Sequence, residues 1–202
     1  MDAPEILRAV DAMVPRLAAR AGDAEALRRL PDETVREAGA AGYLGMLTPR
    51  RFGGAGCDLA SFLEATRRLA HGCASSAWTL SFLSLHAWLL CRFDPRVQEE
   101  LFASGPAPRM PAPLAPTGKA VRTDGGYRVS GRWEWATGIM HAEWVMVTAM
   151  DAERGPCFCI LPRADVEVVD VWHVAGMAAT GSNDVVVRDV FVPEHRTLEL
   201  WR

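Results

Sequence analysis

The stretch Gly126-Tyr-Arg-Val-Ser-Gly-Arg-Trp-Glu-Trp-Ala-Thr-Gly138 decides how the rest of the chain is read. From Tyr127 to Trp135 its side chains alternate with the period of two that marks a strand, and the Asp124-Gly125-Gly126 turn joins it to an earlier strand from Lys119 to Thr123. Trp133 and Trp135 then share one side of the strand, so that one can pack in the core and the other can face a site. The strand ends in Ala136-Thr137-Gly138, a sharp exit expected to leave amide donors and one hydroxyl outside the sheet's own bonding. Further period-two segments run from Glu143 to Met150, Pro156 to Leu161, Val166 to Val174 and Val185 to Val192, which predicts a β-domain of about six strands.

Upstream, the period changes. Ile6, Val10, Met13 and Leu17 recur at spacings of three and four, the mark of one helical face. A second helix starts near Pro31-Asp-Glu-Thr, where acids favour the first turn, and Asp58 caps a third that runs through His71. The apolar run from Ala74 to Cys91 is a central helix buried on most sides. Asp94-Pro95 opens a fifth helix with aspartate as N-cap and proline in its first position. Between the second and third helices, the glycines of residues 42–56 permit tight turns, but the loop lacks the Lys-Ser/Thr ending of a phosphate cradle. Five prolines between Pro106 and Pro116 break helical periodicity. The expected organisation is therefore α+β: an N-terminal α-helical domain over residues 1–105, a proline-rich passage at 106–116, and a β-barrel or sandwich-like domain over 117–202.

Composition narrows the function classes. A net charge of −3, with 22 Lys and Arg residues scattered along the chain, gives no basic stripe for nucleic acid or an anionic membrane. Ser75, Ser76, Ser81, Ser84 and His86 interrupt the longest apolar run, so a membrane span is not expected. The first residues, Met-Asp-Ala-Pro-Glu, lack the basic and apolar regions of a signal peptide, and five cysteines suit reduced thiols. Both point to the cytoplasm. Cys157-Phe-Cys159 lacks a second ligand pair and reads as core packing, and no histidine or acid cluster suggests a metal.

Three segments together, Gly126 to Gly138, Val169 to Asp184 with its Thr-Gly-Ser-Asn-Asp ending, and Val190-Phe-Val-Pro-Glu-His195, resemble the middle β-domain of the acyl-CoA dehydrogenase superfamily. Within it they are similar to the branch of reduced-flavin-dependent, two-component aromatic monooxygenases. The glycine loop at 42–56 looks like a superfamily loop as well. The resemblance extends from about residue 30 to residue 198 and implies an enzyme that uses reduced flavin and O2 to hydroxylate a phenolic or other aromatic substrate. The cofactor it implies is FMNH2, with FAD as the other form, delivered by a separate flavin reductase.

By the same resemblance, Thr137 lies near the flavin N5 and the backbone of Ala136 bonds the ring, with Trp135 and Gly138 beside them. Trp78 and His86 are eight residues apart on the central helix, which at about 100° per residue keeps them near one face. In the resembled enzymes a tryptophan and a histidine so placed form the flavin wall and the substrate cavity, and the histidine assists phenol deprotonation. An imidazole is chemically fit for that role near neutral pH. Ala112 falls where the branch has a small hydroxyl residue, so one polar contact to the ring is missing. His141 is close enough to the exit to touch the flavin region. The run from Thr180 to Asp184 reads as a turn that opens the last strand.

Enzymes of this family continue into a C-terminal four-helix bundle that builds an oligomer, and this sequence stops at Arg202 without one. An apolar surface is then expected where such a bundle docks, covered by self-association as a homo-oligomer or by a complementary helical chain. Two other readings stay open: an acyl-CoA dehydrogenase-like flavoenzyme, and a non-catalytic interaction subunit that completes a partner's site.

Overall fold

The structure, a computed structural model, describes residues 1–200; the last two residues of the expected β-domain lie outside it. Five α-helices come first: α1 (Ala3–Leu27), α2 (Asp32–Ala40), α3 (Leu59–Gly72), α4 (Ala74–Leu89) and α5 (Pro95–Phe102). Asp2 starts α1 by accepting from the Glu5 amide at 2.9 Å while the Glu5 carboxylate accepts from the Asp2 amide at 2.8 Å, a reciprocal cap. Its buried face is Ile6, Val10, Met13, Leu17 and Ala24, which packs on α3. Asp58 and Asp94 cap α3 and α5, each by accepting a backbone amide.

α4 is buried on most sides, and several of its hydroxyls are paired, although the buried Thr79 hydroxyl has no partner among the described residues. Ser75 donates to the Glu25 carboxylate at 2.8 Å and Ser81 to the Trp78 carbonyl at 2.8 Å. No described helix is long and apolar enough to cross a membrane.

The strands are β1 (Gly118–Thr123), β2 (Gly126–Trp133), β3 (Trp144–Asp151), β4 (Gly155–Pro162), β5 (Glu167–Val169), β6 (Asp184–Pro193) and β7 (Thr197–Glu199). They form one sheet in the order β5-β6-β2-β1-β3-β4-β7, antiparallel except for the β1–β3 pair. The barrel-like form comes from this single sheet folding over itself. Val129, Trp133, Val185 and Val187 from one half share a core with Val145, Val147, Cys157 and Cys159 from the other. Trp133 sits at its centre and donates from Nε1 to the Thr148 carbonyl at 2.6 Å. The sequence makes room for that indole: a Cβ at Gly118 would fall 1.9 Å from it, and one at Gly131 2.8 Å. Cys157 and Cys159 are buried in this core with their sulfurs 3.7 Å apart, and all five cysteines are free.

Two strand expectations change. The segment from Val166 to Val174 is a strand only over Glu167–Val169, because the amides of Val171 and Trp172 donate to the Asn183 side chain, each at 3.0 Å, instead of to a neighbouring strand. β7, which pairs with β4, is a seventh strand beyond the six expected.

The passage between the two halves is not a free linker. The amides of Glu143 and Trp144 donate to the Arg109 carbonyl, and the Met146 amide to the Pro111 carbonyl, so residues 109–111 run beside the start of β3 with Met110 buried.

Candidate active site

The helical and sheet halves meet at a cleft of about 380 Å³ whose walls include Trp78, Phe82 and His86 of α4, Ala112 of the passage, Trp135 and Thr137 after β2, and Trp172, Thr180 and Ser182. Five residues expected at the site from sequence, Trp78, His86, Ala112, Trp135 and Thr137, are thus brought together. Ala136 and Gly138 are not. Ala136 is wholly buried and its amide donates to the Asn183 carbonyl at 2.9 Å, while the Gly138 amide donates to the Thr180 carbonyl at 3.1 Å. The exit from β2 therefore does not leave these amides open, because they stitch it to residues 180–183. Gly138 is required for its backbone: its φ is +79°, and a Cβ there would press against Thr79 of α4 at 3.1 Å.

Trp135 reaches the cleft by a different route from the strand alternation expected of it. β2 ends at Trp133, and Trp135 takes a φ of +72°, which turns its half-exposed indole toward Trp172 with ring centroids 6.5 Å apart. A left-handed tryptophan is strained by its Cβ. On the opposite wall Trp78 tilts over Phe82 at 4.9 Å, and Phe82 meets His86 edge-on at 5.5 Å.

His86 is 6% exposed, and its Nδ1 lies 3.0 Å from the Met110 carbonyl. A carbonyl only accepts, so Nδ1 carries the hydrogen and Nε2 is left as the basic nitrogen. Burial depresses the imidazole pKa to about 4, which keeps the ring neutral at ordinary pH. Thr137 is half-buried, and its hydroxyl is 2.9 Å from that of Ser182, itself 2.9 Å from Thr180.

Sequence reasoning passed over the residues that build the third side. The turn that carries Ala178 to Ser182 is held to the helical half by Glu25 of α1, whose carboxylate accepts from the amides of Ala178 at 2.8 Å and Ala179 at 3.3 Å as well as from Ser75. Arg28 adds a bidentate pair to Asp170 at 2.6 and 2.7 Å. The Thr-Gly-Ser-Asn-Asp run is thus more than a turn that opens a strand. Its hydroxyl density was the available signal.

A larger cavity, about 630 Å³, lies between α2, the glycine loop and the passage, and His141 lines it rather than the cleft. His141 sits 3.5 Å from Asp32, and Arg109 pairs with Glu143 at 2.7 Å, so this cavity is lined by several charged and ionisable groups. The cleft, in contrast, is mainly aromatic and apolar, with a few hydroxyls and the acid Glu134. That suits a planar, largely apolar ring system with a polar edge. No group of histidine, cysteine and acid residues among the described residues is arranged to hold a metal.

A helical half and a folded-over sheet that meet at such a cleft define an acyl-CoA dehydrogenase-like protein. Residues 5–102 match the family described as "Acyl-CoA dehydrogenase, N-terminal domain". The chain is 44% identical over 201 residues to the "Flavin-dependent monooxygenase, oxygenase subunit HsaA" of Mycobacterium tuberculosis (strain ATCC 25618 / H37Rv), across 98% of this chain and 51% of that protein. The crystal structure of the M. tuberculosis HsaA monooxygenase superposes with a TM-score of 0.93, over 98% of this chain and 56% of that one. XiaF from Streptomyces sp., solved in complex with FADH2 and glycerol, is 36% identical with a TM-score of 0.90, over 98% and 51%. The chain spans about half the length of the curated relatives it matches. It belongs to the acyl-CoA dehydrogenase superfamily, and within it is similar to oxygenase subunits of flavin-dependent monooxygenases.

Proposed function

We propose that the protein carrying this chain is the oxygenase component of a two-component flavin-dependent monooxygenase that hydroxylates a phenol or related aromatic compound. The observation that carries the reading is the convergence of His86, Thr137 and three tryptophans on one cleft, in a chain whose relatives are oxygenases of this kind. Reduced flavin, FMNH2 or FADH2 delivered by a separate flavin reductase, supplies the electrons that activate O2. Trp78, Trp135 and Trp172 would flank the isoalloxazine and Thr137 would meet its N5 edge; Ala112 adds only a methyl group.

His86 would hold and move the substrate proton. Its Nδ1–H is fixed on the Met110 carbonyl, so Nε2 is the atom that can receive a phenol's proton. A pKa of about 4 means that an isolated imidazolium is poorly tolerated there. The phenolate formed beside it supplies a compensating charge, so proton transfer costs less with substrate in place than protonation of the empty site. Apolar walls that exclude water strengthen that pairing.

The exposed apolar side chains Trp88 of α4 and Leu59 and Leu63 of α3 support the proposal that a further helical segment or a second copy packs against the helical half. We also propose the division at residues 1–105, 106–116 and 117–202. The five free cysteines support a place in the cytoplasm. The function is tested by supplying the protein with a flavin reductase, NADH, O2 and a panel of phenols. Oxygenated product is expected from at least one phenol; flavin binding with hydrogen peroxide as the sole product across the panel would refute the hydroxylase reading.

A further inference from the structure

Thr137, Ser182 and Thr180 place three hydroxyls in a row along the cleft, with successive oxygens 2.9 Å apart. Ser182 and Thr180 are buried, and Thr137 opens into the cleft. Three hydroxyls carry three protons, and the two contacts use two of them. The third is left over on any one of the three oxygens, and two of these arrangements run the row in a single direction. In one, Thr180 donates to Ser182, Ser182 donates to Thr137, and Thr137 turns its proton to the cleft. In the other, Thr137 donates to Ser182, Ser182 donates to Thr180, and Thr137 presents a lone pair. Both are reached by hydroxyl rotation alone. The backbone need not move, since the Gly138 amide on the Thr180 carbonyl and the Ala136 amide on the Asn183 carbonyl hold the two segments together.

We propose that Ser182 is a positioning residue that allows Thr137 to donate or to accept at the same point, so that the cleft can hold a ring nitrogen in both its bare and its N–H form. The inference rests on the flavin reading above: N5 of the isoalloxazine is bare in the oxidised ring and carries a hydrogen in the reduced one. The two cases make unequal demands on Ser182. When Thr137 donates to a bare nitrogen, Ser182 only reinforces a bond that exists without it. When Thr137 accepts from an N–H, its own proton needs an acceptor, and Ser182 is the one partner its hydroxyl has among the described residues. Without Ser182 that proton is left unpaired at the buried end of the cleft. Loss of Ser182 therefore falls on the reduced ring.

The test is the affinity of the protein for FMN and, anaerobically, for dithionite-reduced FMN, in wild type and in Ser182→Ala, Ser182→Thr and Thr180→Val. Ser182→Ala is expected to weaken reduced FMN about tenfold, the worth of one such hydrogen bond, and oxidised FMN much less. A tenfold differential lowers the midpoint potential of the bound flavin by about 30 mV for a two-electron couple. Ser182→Thr keeps a hydroxyl and is expected to restore the ratio. Thr180→Val removes only the far end of the row, so it should shift the ratio in the same direction by less, which provides a second reading if Ser182→Ala folds poorly. Equal weakening of both forms, or a ratio unmoved by both variants, overturns the inference while leaving the flavin reading intact. Wild-type protein that binds neither form overturns both.

Discussion

The α4 wall of the cleft and the wall made by residues 172–182 hold their side chains by opposite means. On α4, Trp78, Phe82 and His86 are fixed by regular helical bonding and by a helix that is buried on most of its other sides. On the far wall there is no regular structure beyond a short helical turn at Ala178–Thr180. Trp172, Thr180 and Ser182 are placed instead by a few long-range bonds from Glu25, Arg28 and the Asn183 side chain. The wall assigned the proton chemistry is thus held by regular structure, and the wall that carries Trp172, Thr180 and Ser182 is suspended from a small number of replaceable contacts.

The largest effect should come from the α4 wall. His86→Ala is expected to lower hydroxylation by about 10²- to 10⁴-fold while flavin affinity changes little, because the wall keeps its shape and loses only the base. Single-turnover product yield and flavin titration on the same preparation separate the two. Parallel loss of both would mean that His86 is a packing residue.

The same histidine ties stability to pH. Its pKa in the folded protein, about 4, lies below the ordinary 6.5, so between those values the unfolded chain binds a proton that the folded chain refuses. Stability is full above pH 6.5 and falls as pH drops toward 4, by roughly 3 kcal/mol at the lower limit. His141, also depressed to about 4 by burial, acts in the same direction. Urea unfolding at pH 7 and pH 4.5 should show a smaller acid loss in His86→Gln than in wild type. Equal losses would remove His86 from the linkage.

The difference between the walls also explains what could be read from the chain. Helix spacing is regular, so Trp78 and His86 could be placed on one face, and capping residues such as Asp58 and Asp94 marked helix starts that the structure shows. Period-two alternation located β2, β3, β4 and β6. It over-ran from Asp170 to Val174, where a single asparagine side chain replaces a strand partner. Ala136 and Gly138 were expected to offer amides to a ring because nothing local shows that residues 180 and 183 take them. Glu25 lies 153 residues from Ala178, and no periodicity connects them. Contacts made by individual polar groups across such separations leave no local pattern.

Two smaller effects sharpen the contrast. Glu25→Ala removes the acceptor of three hydrogen bonds and should cost about 2 kcal/mol, with faster amide exchange over residues 172–183 and unchanged exchange over α4. If α4 loosened equally, the walls would not be independent. Trp135→Gly relieves a left-handed tryptophan and should stabilise the fold by about 1 kcal/mol while weakening flavin binding. A variant that is both less stable and unaltered in binding would show that the indole serves the fold alone.

The central claim is that the smaller aromatic cleft, and not the larger cavity beside the glycine loop, holds the flavin. Hydrogen–deuterium exchange with and without reduced FMN tests it most directly. The account predicts slowed exchange over residues 78–89, 134–138 and 172–182, with residues 36–56 and 104–109 unchanged. Protection confined to those latter segments, or absent from the whole chain at saturating flavin, would contradict it.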